Sequence, residues 1–217
     1  MSRSRRGLAA AGALLAAALP APPAHAHQPR IVGSARLVHV SDPEVSKAFY
    51  ARLPGTPARY VITSPRRFAL YAQMTVPDVR GAHRDWRMDV LGPDGRLASR
   101  RTPAARWKPF FEPFGGDHYL TGPEFRRTVP AGRYAVVVSR PGNRGAYVLA
   151  IGEAETWNPA EAVRALAALP EIKRDWFGQS APRAWLTRTV PVTALLLAIT
   201  VAFAVLARRL LRRRRRA

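Results

Sequence analysis

The chain reads as an all-β protein: a β-sandwich of jelly-roll or immunoglobulin-like type with about eight strands, followed by a short helical segment and one C-terminal transmembrane helix. Three observations predict this. Between residues 27 and 155 apolar side chains alternate in short runs, the period of a half-buried strand. Turn signals separate these runs at about 8–12-residue intervals, the spacing of sandwiches and barrels. A helix-period run appears only after residue 158, and the stretch from Thr189 to Ala207 is uncharged and strongly apolar.

The strands follow in order. Arg36–Val40 is short and alternating. Ser46–Leu53 alternates and stops at Pro54-Gly55, and Arg59–Thr63 is closed by Ser64-Pro65. Phe68–Val76 places Phe68, Leu70, Ala72 and Met74 on one face and Tyr71 on the other. Trp86–Leu91 and Arg96–Ser99 flank Gly92-Pro93-Asp94-Gly95, which suits a type I turn. Glu124–Val129 meets Tyr134–Ser139 across Pro130-Ala131-Gly132, and Tyr134–Ser139 meets Ala146–Ile151 across a Pro-Gly-Asn-Arg-Gly turn. Each strand has one apolar face, so two sheets must pack those faces together. This unit spans 27–155.

Residues 156–178 form the helical segment. Asn158 fits an N-cap, Pro159 the first helical position and Glu161 the third. Ala160, Val163, Leu166 and Ala167 form an apolar stripe, and Glu161 faces Arg164. Pro170 is expected to end this helix and begin a second turn or two carrying Ile172 and Trp176, up to Gly178. Both helices are expected to pack on the sandwich. Residues 179–188 are a linker.

The two ends are addressing devices. Residues 1–26 read as a signal peptide: a basic start, an apolar run from Gly7 to Leu19, three prolines, and Ala24-His25-Ala26 as a cleavage site. Thr189–Ala207 is uncharged and, at about 1.5 Å per residue, long enough to cross the hydrocarbon layer. Trp185 sits where an indole favours the interface. Arg208, Arg209, Arg212, Arg213, Arg214, Arg215 and Arg216 follow, so residues 208–217 form a cytoplasmic tail by the positive-inside rule. The expected location is the cell (plasma or inner) membrane, single-pass, with the sandwich extracytoplasmic and the lipid bilayer as a partner.

Composition narrows the function. The chain has 217 residues, a net charge of +21 and no cysteine, which excludes disulfides and thiol chemistry. Ten arginines at the two extremities account for much of the charge; 25 basic against 14 acidic residues remain, a net of +11. Arg66-Arg67, Arg100-Arg101 and Arg126-Arg127 are basic pairs suited to anionic lipid or acidic polymers. Nucleic acid is not an expected partner in that compartment. Only three lysines occur. No nucleophile-elbow, zincin or phosphate-loop motif is present, so no enzyme is expected.

The segments HQPRIV (27–32), DPEVSKAFYARLPGTPARYVITS (42–64), FALYAQMTVPD (68–78), FFEPFGGDHYLTGPEF (110–125), and PAGRYAVVV with GNRGAYVLAIGE (130–153) carry a resemblance. They are similar to a group of uncharacterised, exported, membrane-anchored β-sandwich proteins of bacteria and archaea. The last segment also resembles the closing strands of pre-peptidase C-terminal-type domains, in which a Gly-x-Tyr strand pairs with a Gly-x-Tyr-x-Leu strand. The resemblance implies a fold and a tethered layout, and no catalytic residue.

Three groups of residues are candidates for function. Cleavage after Ala26 would make His27 the first residue, and an α-amine plus imidazole with a second histidine (His39, His83 or His118) is a clamp suited to copper. The connection from Thr102 to Gly122 reads as a long loop holding Trp107, Phe110, Phe111, Phe114 and Tyr119. These aromatics either stack on a glycan or peptide or plug the end of the sandwich. Glu112, Asp117 and Glu124 offer oxygen ligands to calcium. The preferred reading is a binding or accessory module without catalysis or cofactor, whose partner is another envelope protein or a glycan. The alternatives are a copper-binding domain using His27, and an enzyme of unknown reaction.

Overall fold

The computed structural model describes residues 27–156 and 159–180. The expected signal peptide, residues 181–188 of the linker, the membrane span and the arginine tail, with Trp185 and Arg208 to Arg216, lie outside the described residues. Among the described residues no helix is long and apolar enough to cross a membrane.

The architecture is mostly β, two sheets stacked as a sandwich. The strands are β1 (Gln28–Gly33), β2 (Leu37–Val40), β3 (Lys47–Pro54), β4 (Ala58–Ser64), β5 (Phe68–Pro77), β6 (Arg87–Gly92), β7 (Gly95–Arg101), β8 (Lys108–Glu112), β9 (Asp117–Val129), β10 (Gly132–Ser139) and β11 (Arg144–Ile151). One sheet has the order β1-β3-β11-β5-β9-β8 and the other β2-β4-β10-β6-β7. β1 pairs β3 and β2 pairs β4 in parallel; the other neighbours are antiparallel.

Among the described residues only β6–β7 and β8–β9 are hairpins, and the other strand-to-strand connections cross from one sheet to the other. This corrects the expected pairing at the end of the chain. β9 and β10 lie in different sheets, and so do β10 and β11, so the turns after Val129 and Ser139 are arches between layers. Alternation and turn residues are the same for a hairpin and an arch. What differs is which strand covers the edge of each partner, and that is a non-local property.

Two further expectations change. Residues 102–122 are not a loop: a single 3-10 turn at Ala104–Arg106 leads into β8, and β9 begins at Asp117. β1 is an additional strand, with every residue half-buried and hence no alternation to read.

The core lies between the sheets. It includes Phe49, Tyr60, Ile62, Leu70, Met74, Trp86, Val136, Tyr147 and Leu149. The Tyr60 and Tyr147 hydroxyls, from opposite sheets, meet at 3.0 Å and satisfy one another where water is excluded. Trp86 lies against Tyr147 at 5.0 Å between ring centroids and donates its indole N–H to the His83 carbonyl at 2.7 Å.

One helix, α1 (Pro159–Asp175), packs on the outer face of the six-stranded sheet. Pro170 lies inside it rather than ending it. Proline lacks the donor that would reach residue 166, but buried residues on both sides of it tie the two halves to the same surface. That buried face is Ala165, Leu169, Ile172, Lys173 and Trp176. The stripe expected from the apolar pattern is not the docked one: Val163 is 58% exposed, and Ala160 and Ala167 also face solvent. Gly178 at φ +63° closes the helix. Its N–H donates to the Arg174 carbonyl, the bond of an αL C-cap, and the N–H of Gln179 reaches the Lys173 carbonyl.

Burial pushes the phenols of Tyr50, Tyr60, Tyr119 and Tyr147 well above their ordinary value. A raised phenol stabilises the fold below the unfolded value of about 10, and that contribution is lost as pH rises through the folded value. Alkaline titration should therefore show phenolate absorbance rising together with loss of β-sheet circular dichroism, above pH ~10. Ionisation of all six tyrosines near the ordinary value, with the sheet signal intact, would contradict this packing.

Candidate functional site

The outward residues of β5 alternate with its core residues. Leu70, Ala72, Met74 and Val76 point into the sandwich, which leaves Tyr71, Gln73 and Thr75 on the outer face. Tyr119 and Thr121 of β9 and Lys108, Phe110 and Glu112 of β8 continue that face. Together with Leu169 and Ile172 of α1 and Phe114 of the β8–β9 turn, they enclose a groove of about 470 Å³. Arg126 lies at one side, its guanidinium 5.1 Å from the Tyr71 ring centroid and 2.6 Å from Glu153. Gln73 donates to Glu124 at 3.3 Å. Burial raises the Tyr71 phenol to about 12, so it enters the groove as a neutral donor and acceptor.

The groove's closed end is polar and dry. The Tyr50 and Tyr119 hydroxyls are 2.7 Å apart beneath Trp176 and Phe177, which meet those rings edge-on at 5.3 and 5.1 Å. Lys173, fully buried, donates to the Asp117 carboxylate and, at 2.6 Å, to the Gly115 carbonyl. Glu112 accepts the N–H groups of Phe114 at 2.8 Å and Gly115 at 2.6 Å. A β-carbon at Gly115 would stand 2.8 Å from Asp117 Oδ2 and 3.0 Å from Glu112 Oε2, so only glycine lets the two carboxyls approach. Burial pushes both carboxyls up, against the pull of Lys173 on Asp117 and of the Gly115 and Phe114 N–H groups on Glu112.

The five expected aromatics divide by the parity of the strands. Phe110 and Phe114 line the groove and Tyr119 forms its floor. Trp107 is buried between the sheets, against Gly122, with its N–H on the Thr102 carbonyl at 3.1 Å. Phe111 is 49% exposed and lies against His118 at 5.0 Å, with His118 opposite it in the ladder.

The histidines do not come together. His27 lines the groove with its ring on the Ser46 hydroxyl, His39 is exposed on β2 in the other sheet, and His83 contacts Arg140 at 3.2 Å. Among the described residues no three His, Cys, Asp or Glu form a metal-holding group. The expected calcium carboxylates are otherwise engaged: Lys173 supplies the cation at Asp117, and Glu124 bonds Gln73 and lies 3.7 Å from Arg126. The three arginine pairs are exposed. Lys173, Tyr50, Tyr71 and Gln73 were not singled out from the sequence. The available signal was a lysine, one of three, in a chain whose other basic residues are arginines.

No protein-family model matches the chain, and no curated protein does. Among solved structures, the chain is similar to the pre-peptidase C-terminal domain of a collagenase from Bacillus anthracis, at 12% identity and a TM-score of 0.31, covering 62% of this chain and 98% of that domain. It is also similar to a β-glucosidase from Paenibacillus barengoltzii (11% identity, TM-score 0.26, 62% of this chain, 14% of the enzyme). A β-glucosidase from Kluyveromyces marxianus matches at 16% identity and a TM-score of 0.24, over 52% of this chain and 12% of that one. The first is the domain type that the closing strands resemble. At these scores the likenesses carry no argument about ligand or activity.

The tyrosine pair under the groove makes a clean energetic test. Tyr119→Phe leaves the Tyr50 hydroxyl buried without its partner and should cost about 1–3 kcal/mol in chemical denaturation. The Tyr50→Phe, Tyr119→Phe double variant should cost less than the sum of the single changes. Additive effects would show that the two hydroxyls do not depend on each other.

Proposed function

We propose that the chain is a membrane-tethered, extracytoplasmic β-sandwich that binds a partner and carries no catalysis of its own. Export by residues 1–26, anchoring by 189–207 and a cytoplasmic arginine tail follow from the charge and hydropathy of the ends. The groove on the outer sheet face supports the binding role. Its volume falls in the usual range for small-ligand sites, roughly 300–1,000 Å³. It combines ring faces (Tyr71, Phe110, Phe114) with neutral hydrogen-bonding groups (Gln73, Thr75, Thr121). Rings take the apolar face of a sugar while amides and hydroxyls take its hydroxyls, so a glycan of the cell envelope is the partner class the lining favours.

The test uses the full chain in lipid nanodiscs, titrated calorimetrically with a panel of envelope oligosaccharides. One class of sugar should bind. Gln73→Arg with Thr121→Arg, which fills the groove without touching the core, should weaken binding at least about tenfold, or ~1.4 kcal/mol. Binding of an envelope protein instead, lost in the same variant, would reassign the partner. Equal binding by wild type and variant would remove the groove from function. Release of the chain from membranes by carbonate would remove the tether.

A further inference from the structure

Lys173 and Asp117 have an enclosure that ligand binding does not require. Their side chains are 1% and 3% exposed. The lysine comes from α1 and the aspartate from the start of β9, 56 residues apart in the chain. The Lys173 nitrogen contacts the Asp117 carboxylate directly. Its remaining neighbours are the Gly115 carbonyl at 2.6 Å and the Phe177 ring at 5.8 Å. A second acid, Glu112, reaches the same small notch over Gly115. Amine, carboxyl and a second carboxyl, held together in an apolar surrounding, are the groups that amide condensation needs.

We propose that Lys173 and Asp117 join in an intramolecular isopeptide bond, linking α1 covalently to β9. A proton passes from the lysine ammonium to the aspartate carboxylate, giving a neutral amine and a neutral acid. The amine lone pair attacks Asp117 Cγ and the N–C bond forms. Glu112 takes a proton from the nitrogen and returns one to the departing hydroxyl. The C–O bond breaks and one water leaves; nothing is oxidised or reduced. The product amide keeps one N–H, and the Gly115 carbonyl is already placed to accept it.

Two physical terms favour the product. Holding both partners in contact corresponds to effective concentrations of about 10⁵–10⁸ M, which offsets the unfavourable condensation seen in dilute water. The bond also removes two charges from a site that solvates charge poorly. The raised Asp117 and Glu112 carboxyls add to this, because a protonated acid is the form that condenses.

The experiment is peptide mapping of the folded full chain. An acylated Lys173 resists trypsin, so residues 165–174 should appear joined to the peptide that holds Asp117, with a mass one water below the sum of the two. The joined species should be absent from Asp117→Ala and strongly reduced in Glu112→Gln. Wild-type digests giving only the linear peptide 165–173 and an unmodified Asp117 peptide would overturn the bond. A joined species undiminished in Glu112→Gln would overturn the role given to Glu112. The decisive measurement is on wild type, so it stands even where a variant fails to fold.

Discussion

The structure hangs on where the nitrogen of Lys173 goes. A bare ammonium in a protein interior costs several kcal/mol after relaxation. α1 nevertheless carries Lys173 in the middle of its docked face, between Leu169 and Trp176. The helix can settle only where oxygen acceptors wait, and the six-stranded sheet offers them at one place: the Asp117 carboxylate and the Gly115 carbonyl. Slipping the helix by one residue would swing that nitrogen by about 100° toward apolar side chains. The contact therefore sets the helix register, and with it the seats of Trp176 over Tyr50 and Phe177 over Tyr119. The β8–β9 turn is shaped by the same demand. Gly115 yields space to two carboxyls, Gly116 turns at φ +67°, and Glu112 takes up two N–H groups of the turn.

Strand existence is a local property and strand pairing is not. The inward and outward residues of β5 were legible from residues 68–76 alone, because each side chain's face follows from its parity. The partners of β10 were not. Tyr134–Ser139 and Ala146–Ile151 both bury one face, and a short turn joins them, yet they belong to opposite sheets. β10 sits between β4 and β6, and β11 between β3 and β5, so each completes a sheet interior that the other could not enter. β1 and β8 escaped notice for a simpler reason. They are edge strands of five or six residues, β1 half-buried throughout and β8 largely exposed, so neither shows a buried alternation to read.

The candidate site was legible in composition and hidden in direction. Aromatics crowd residues 107–119, but adjacent Phe110 and Phe111 must face opposite ways once the segment is a strand. Phe110 reaches the groove and Phe111 does not. Likewise, the stripe expected from the first half of α1 runs through Val163 and Leu166. The sheet instead takes Ala165, Leu169, Ile172 and Trp176, with Lys173 among them against Asp117. A charged residue in a helix face is read as solvent-facing until its partner is known, and here the partner lies 56 residues earlier in the chain.

Distances explain why a groove is left at all. Glu161 of α1 pairs with Arg30 on β1 at 2.9 Å, and Lys173 pairs with Asp117 on β9. Twelve helical residues separate those two anchor points, a rise of about 18 Å. Four strand spacings separate β1 from β9 in the sheet, about 19 Å. The helix consequently runs across the strands rather than along them, pinned by one ion pair at each side. A rod about 10 Å wide laid crosswise covers only a band of the sheet's outer face. Strands as long as β5 and β9 extend past that band, and their outer residues Tyr71, Gln73, Thr75 and Thr121 line the groove beside it. The contact that fixes the helix thus also fixes the groove's wall, which makes the shape of the site a consequence of where a single buried charge finds its acceptors.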